Sequence, residues 1–204
     1  MKLLLFDFDG TIVDSLRVAF KAYNSIAKSY GIKEFKNEKD FSRLYDKNIY
    51  ESFIEQGVPR ERINDFMIDL RNAFFDKGYS ALLFPGIKEA IESLATKNKV
   101  IIITSNLSPA VRKLLSDAGL SGISDVLGGD QGRSKVEKIK NVMNRYPKVD
   151  IYYIGDTVGD VLEGKKAGVK TVAVTWGYHG KAKLKRAKPD YIADRAEELV
   201  KILN

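Results

Sequence analysis

The sequence contains no cysteine. That excludes disulfides, thiol nucleophiles and cysteine-based zinc or iron–sulfur sites. It contains a single histidine, His179, too few for a Ser-His-Asp triad beside a histidine-rich metal centre. Only 5 residues are proline and 16 glycine, while 44% are hydrophobic. Disordered, collagen-like and fibrous classes fall away on those figures. The amino terminus lacks a long apolar run. Leu3 to Phe6 meets Asp7 at once, too short for a signal-peptide core or a membrane span. A cytoplasmic protein without membrane association is therefore expected.

What is present is enough chain to bury a core without a staple. At roughly 150 residues per domain, 204 residues amount to about 1.4 domains. One full domain carrying an insert fits that figure. There is no internal repeat and no low-complexity segment. The net charge of +7 admits either nucleic acid or a small anionic substrate, and composition does not choose between them.

Periodicity divides the chain into two grammars. Lys2 to Phe8 reads as a buried strand that ends in the polar turn Asp9-Gly10-Thr11. From Ser15 to about Ser80 the pattern is helical throughout. Leu16, Ala19, Phe20, Tyr23, Ile26, Ala27 and Tyr30 recur at helical spacing before Gly31. A looser helix is expected over 41–54. Another, from Pro59, carries Ile63, Phe66, Met67, Leu70 and Phe74 on one face and ends at Gly78. After Phe84-Pro85-Gly86 strands and helices alternate. Strands are expected at 100–104, 123–127, 150–154, 171–175 and 191–192. Helices are expected at 86–97, 108–119 with Ser108-Pro109 as its cap, 134–145, 159–167 and 196–203. Apolar strands separated by helices mean an α/β fold: a doubly wound, Rossmann-like parallel sheet with helices on both faces. The expected organisation is a core of residues 1–14 and 81–204, with a small all-helical cap, 15–80, inserted after the first strand.

In such sheets ligands sit at the carboxyl ends of strands. The first strand ends in Asp7 and Asp9, which alternation places on the side opposite Phe6 and Phe8. Gly10 permits a tight turn near a ligand. The fourth strand ends Gly155-Asp156-Thr157-Val158-Gly159-Asp160. With a helix starting near Thr157, Asp156 reads as its N-cap and Asp160 as an acid facing the same way. A capping role explains each acid singly, but not two strand ends that both carry pairs. Four carboxylates without cysteine form a hard oxygen site suited to Mg²⁺. The second strand ends Thr104-Ser105-Asn106, which offers donors to an anion. Lys135 opens a helix, where a cation is disfavoured by a few tenths of a kcal/mol unless an anion or an Asp lies nearby.

Taken in order, these pieces resemble the haloacid dehalogenase-like phosphohydrolase superfamily, its phosphoglycolate-phosphatase-like members with a small helical cap in particular. Its first motif matches Asp7-Phe8-Asp9-Gly10-Thr11 with Val13-Asp14-Ser15 following. Its second matches Thr104, its third Lys135, and its fourth Gly155-Asp156 through Asp160. The resemblance implies a phosphatase acting on a small phosphorylated metabolite. Asp7 would be the nucleophile that forms an aspartyl-phosphate, and Asp9 the general acid and then base. Gly10, Thr11, Thr104, Ser105, Asn106 and Lys135 would surround the phosphoryl oxygens. Mg²⁺ would be held by Asp156, the Asp7 carboxylate and the Asp9 carbonyl, while Asp160 supports the metal or orients Lys135. The cap would act as a lid. Its Arg17, Lys21, Arg43, Lys47 and Arg71 are candidates to grip a second anionic group.

Two other functions are considered: a sugar phosphomutase of the same fold, and a non-catalytic nucleic-acid-binding or regulatory protein. The second rests on the charge and on the run Lys181-Ala182-Lys183-Leu184-Lys185-Arg186-Ala187-Lys188. That run has no interleaved aromatics to stack on bases, so a solvated helix face is the better reading and nucleic acid is disfavoured. His179 reads as a loop residue on the active edge.

Overall fold

The computed structural model describes residues 1–76 and 82–204. The expected helix end at Gly78 and the expected boundary at 80/81 lie outside the described residues. A six-stranded sheet forms the core, built from β1 (Leu3–Phe6), β2 (Lys99–Ile103), β3 (Ile123–Leu127), β4 (Ile151–Gly155), β5 (Lys170–Val174) and β6 (Tyr191–Ala193). The strands run in the order β3-β2-β1-β4-β5-β6, and every neighbouring pair is parallel. Leu5 lies opposite Ile101 on one side and Tyr153 on the other.

All four residues of β1 are buried, because helices cover both faces of the sheet. Alternation sorts the side chains. Leu4 and Phe6 join Val100, Ile102 and Ile154 beneath α5 (Ile87–Ala95), α6 (Ser108–Asp117) and α10 (Ala196–Leu203). Leu3 and Leu5 join Ile101, Ile103 and Tyr153 against α7 (Lys135–Arg145) and α8 (Val158–Ala167). The chain begins at the centre, moves outward through β2 and β3, then returns to the other side of β1. That reversal opens a crevice above β1 and β4, where ligands bind in folds of this kind.

Between β1 and α5 lies the helical cap, with α1 (Leu16–Ala27), α2 (Glu38–Phe41), α3 (Ile49–Glu55) and α4 (Ile63–Asp76). It buries a core of its own. Tyr23 sits among Phe35, Phe41, Phe53 and Phe66, with ring centroids 5.2 to 6.1 Å away. The expected helix over 41–54 is interrupted. A 3-10 turn runs Ser42–Asp46, and α3 starts afresh where the Asn48 side chain accepts from the Tyr50 N–H at 3.1 Å. An Asn that caps a new helix competes with continuation of the old one.

A second correction concerns α6. Ser108 is not its cap; Leu107 is, and it offers no side-chain bond. The Asp130 carboxylate does this work from the loop after β3, accepting from the Ser108 N–H at 2.7 Å and its hydroxyl at 2.9 Å. The basic run carries a short helix, α9 (Lys181–Arg186), with Lys181 paired to Asp194 and Lys183 to Asp46. No helix among the described residues is long and apolar enough to cross a membrane.

Candidate active site

Asp7 follows β1 directly and is buried. Lys135, at the first position of α7, reaches across to it, 2.9 Å from Asp7 Oδ1 and 2.8 Å from Asp160 Oδ1. The two carboxylates reverse the penalty of a cation at a helix N-terminus.

Asp160 is held on every side. It is the third residue of α8, where it completes a capping box with Thr157. Its Oδ2 accepts from the Thr157 N–H (3.1 Å) and hydroxyl (2.5 Å), and its Oδ1 accepts from the Tyr153 hydroxyl at 3.0 Å as well as from Lys135. The N-cap is therefore Thr157, not Asp156. Asp156 turns toward the first strand end instead. Its Oδ1 accepts from the Thr11 hydroxyl at 2.8 Å and its Oδ2 from the Tyr178 N–H at 2.7 Å. The Thr11 hydroxyl, expected among the phosphate ligands, is thus directed at Asp156. Gly10 has a φ of +77°, and a Cβ there would collide with the Asp156 carboxylate and the Tyr178 ring. Only glycine fits that corner.

The second strand end closes the other side. Asn106 donates from Nδ2 to Asp9 Oδ2 at 2.6 Å, and its backbone N–H donates to Thr104 Oγ at 3.1 Å. The Ser105 carbonyl accepts from Arg71 of the cap at 3.0 Å. Beneath the loop lies Lys138, which the sequence reading missed. It is 3% exposed and donates to the Thr104 carbonyl at 2.6 Å and the Gly128 carbonyl at 2.9 Å, tying the ends of β2 and β3 together. Burial pulls its pKa down to about 8. Lys138 stands three residues after Lys135, on the same helical face, which is the one signal that could have found it. Tyr153 and Tyr178 were missed as well.

Electrostatics set the acids apart. Carboxylate oxygens of Asp7, Asp156 and Asp160 all lie within 4.8 Å of one another. Burial, reinforced by Asp160, pushes Asp156 up to about 8. Asp7 is also raised well above its ordinary value, since burial and the neighbouring acids outweigh Lys135. Asp160 goes the other way. Burial opposes its ionisation, but Lys135 and the hydrogen bonds from Thr157 and Tyr153 prevail. Lys135 is raised for the matching reason: its two carboxylates outweigh desolvation.

These groups open onto a cavity of about 100 Å³. Asp7, Asp9, Thr104, Ser105, Asn106 and Lys135 line its core end. Of the five cap cations singled out, Lys47 and Arg71 reach it, whereas Arg43 pairs with Asp40 on the surface. His179 is not among the lining residues. It is buried between core and cap, with Nδ1 accepting from the Val158 N–H and Nε2 against the Ser42 carbonyl, both at 2.9 Å.

Comparison with known proteins places this geometry in context. Residues 4–174 match the model of the haloacid dehalogenase-like hydrolase family. A phosphoglycolate phosphatase of Aquifex aeolicus is 30% identical over 100% of this chain and 97% of its own length. Pyrophosphatase PpaX of Bacillus velezensis is 26% identical, covering 98% of this chain and 94% of its own. Among solved structures, a haloacid dehalogenase-like protein from Streptococcus pneumoniae superposes with a TM-score of 0.82 at 23% identity, over 100% of this chain and 99% of that one.

Proposed function

The chain belongs to the haloacid dehalogenase-like hydrolases and is a phosphatase, and from that premise we propose that it hydrolyses a small phosphate monoester through an aspartyl-phosphate on Asp7, with Mg²⁺ as cofactor. The observation that carries this reading is the position of Asp7: one oxygen held by Lys135, at the core end of a cavity that also contains Asp9.

In the first step an Asp7 oxygen attacks phosphorus. The bond from phosphorus to the leaving alcohol breaks, and Asp9 supplies the proton that the alcohol takes up. In the second step Asp9 takes a proton from water, whose oxygen bonds to phosphorus as the Asp7–phosphorus bond breaks. Splitting the reaction gives two easier steps. Lys135 and the donors of the Thr104-Ser105-Asn106 turn neutralise the phosphoryl oxygens while a carboxylate approaches them, and such preorganised charge stabilises the transition state. Asn106 fixes the Asp9 carboxylate for its two proton transfers.

The donor set fits a divalent cation. Three ionised carboxylates beside one ammonium (Asp7, Asp156, Asp160 and Lys135) would put two net negative charges in a buried space, a burden that raises Asp7 and Asp156 and that a divalent cation would relieve. Hard oxygens of this kind suit Mg²⁺. Asp7 and Asp156 would hold the ion together with the Asp9 carbonyl. Asp160, whose two oxygens already accept four hydrogen bonds, is better employed in orienting Lys135. Bound there, the ion would screen the charge of the phosphoryl group against Asp7. The reading includes action in the cytoplasm on a soluble metabolite.

Release of p-nitrophenol from p-nitrophenyl phosphate tests the proposal. Turnover that needs added Mg²⁺, stops with EDTA and is lost in Asp7→Asn is expected. Full activity in that variant would overturn it.

A further inference from the structure

Lys138 is a buried cation that the proposed mechanism does not use. It is 3% exposed, and among the described residues no carboxylate pairs with it. Beside it on the buried face of α7 are Ile139 and Val142, members of an apolar cluster. A desolvated ammonium costs far more there than a hydrocarbon side chain would, so packing alone does not account for it. The amine has two partners, the Thr104 carbonyl at 2.6 Å and the Gly128 carbonyl at 2.9 Å.

The far sides of those two peptides matter. A peptide unit is planar and trans, so its C=O and N–H point in opposite directions. Holding the Gly128 carbonyl directs the Gly129 N–H the other way, where it donates to the Asn106 carbonyl at 2.7 Å. Holding the Thr104 carbonyl directs the Ser105 N–H away from Lys138 in the same manner. Ser105 lines the cavity, and its N–H has no partner among the described residues. The next N–H, that of Asn106, is already taken by Thr104 Oγ, and the Asn106 amide holds Asp9 at 2.6 Å. The two loops touch closely: a Cβ on Gly128 or on Gly129 would lie 2.5 Å from the carbonyl oxygen of Asn106 or of Ser105. A shift at either clamped carbonyl therefore reaches the turn. Resting on the phosphatase reading, we infer that Lys138 is a positioning residue for phosphoryl transfer. It aims the Ser105 N–H at the phosphoryl oxygens and, through Gly129 and Asn106, sets where Asp9 delivers its proton. Donors fixed in advance toward developing charge are what such a transfer needs.

Two esters separate positioning from folding. p-Nitrophenolate leaves without a proton, whereas phenolate takes one from the general acid. Lys138→Met is expected to lower kcat/KM for p-nitrophenyl phosphate about 10²-fold, the low end for loss of one preorganised donor, and to lower the phenyl phosphate value a further ~10-fold. Affinity for inorganic phosphate, read by calorimetry with Mg²⁺ present, should weaken about 10-fold, the scale of one hydrogen bond to a charged group. Partial unfolding would instead scale both esters by one factor. Lys138→Gln, which keeps an amide donor for one carbonyl, should fall between the parent and Lys138→Met on each measure. The chain has no cysteine, so Lys138→Cys can be alkylated in urea with 2-bromoethylamine, which rebuilds an amine at nearly the length of lysine. Refolded, that protein should regain the parent's ester ratio. An ester ratio and a phosphate affinity like the parent's in Lys138→Met, or in Lys138→Gln should the first not fold, overturn the inference. If the parent hydrolyses neither ester, the phosphatase reading falls alone, and the phosphate affinities still decide for or against Lys138.

Discussion

The carboxyl edge of the core and the interior of the cap use opposite chemistry to hold their shapes. At the carboxyl ends of the core strands, buried acids and lysines are fixed by hydrogen bonds and ion pairs, as with Asp160 between Lys135, Tyr153 and Thr157. The cap is held by ring contacts around Tyr23 and by an apolar cluster that also takes in Ala22, Ala27, Leu44 and Val58. A buried polar network has few acceptable arrangements, because each unpaired group costs about 1–3 kcal/mol. Apolar clusters tolerate exchange of similar volumes. The division suits the proposed mechanism, in which the reacting groups must not move while the cap side of the cavity can be recut.

The largest expected effect strikes the core's charge balance. Lys135→Met should lower kcat/KM by ~10³-fold, the scale of losing one transition-state donor. The same change should cost about 3–5 kcal/mol of stability at neutral pH, because two buried carboxylates lose their counter-charge. The pH sign can be worked out for Asp160. Lys135 depresses its pKa, so the pairing stabilises the fold above the unfolded value of 3.8 and is lost as pH falls through the folded value. Urea midpoints of the variant and the parent should therefore converge in acid. Equal offsets at every pH would show that the pair does not act through charge.

The corresponding blow to the cap is Phe66→Ala. Phe66 is fully buried against Tyr23, Tyr30 and Phe53, and truncation should cost about 3–5 kcal/mol. Hydrogen exchange should show the loss in α1, α3 and α4, with β1 and β4 still protected. Equal loss of protection in the sheet would make cap and core one cooperative unit and break the comparison.

The two regions also differed in how far their sequences could be read. Strands of the core are apolar runs, and acids stand at their carboxyl ends, so the placement of Asp7, Asp9 and Asp156 at that edge of the sheet was legible from position alone, with Asp160 in the first turn of the helix that follows. The partners were not. Thr11 meets Asp156 across 145 positions, and Tyr178 meets it across 22; no local pattern carries such contacts. Lys138 looks like any helix lysine until the ends of β2 and β3 bring two carbonyls to it. Asp156 and Thr157 are both good caps, so their order was ambiguous, although the Thr157-x-x-Asp160 spacing of a capping box was readable. In the cap, helical periodicity ran on through Ser42–Asp46 because Asn48 weighs little in a pattern of apolar positions. The five cap cations were equivalent in sequence and became distinct only when α4 set Arg71 over Ser105.

A smaller effect should follow from Thr157→Val. The substitution removes the hydroxyl from the capping box and from Asp160, at about 1–2 kcal/mol for the cap. Asp160 would keep Lys135 and Tyr153, so chemistry should fall less than stability suggests. Loss of activity as large as in Lys135→Met would mean that the Thr157 hydroxyl, not Lys135, sets the position of Asp160.

The smallest effect lies at the seam between the two regions. His179 Nδ1 accepts from the Val158 N–H of the core, so its proton sits on Nε2, facing the Ser42 carbonyl of the cap. Burial holds its pKa below 6.5, and Lys183 adds to this, while Ser42, Asp46 and Asp160 pull the other way. A base with a depressed folded pKa binds its proton more readily when unfolded. Its contribution is thus complete above pH 6.5 and is lost as pH falls through the folded value. One proton is involved, so the slope cannot exceed about 1.4 kcal/mol per pH unit. Protonation would also put a donor on Nδ1 against the Val158 N–H and loosen the seam. His179→Asn keeps a short side-chain acceptor near Nδ1 but does not titrate. Urea midpoints measured from pH 8 to 5 should fall less in the variant than in the parent. Parallel pH profiles would mean that the seam is held by the neighbouring Lys183–Asp46 pair and not by the histidine.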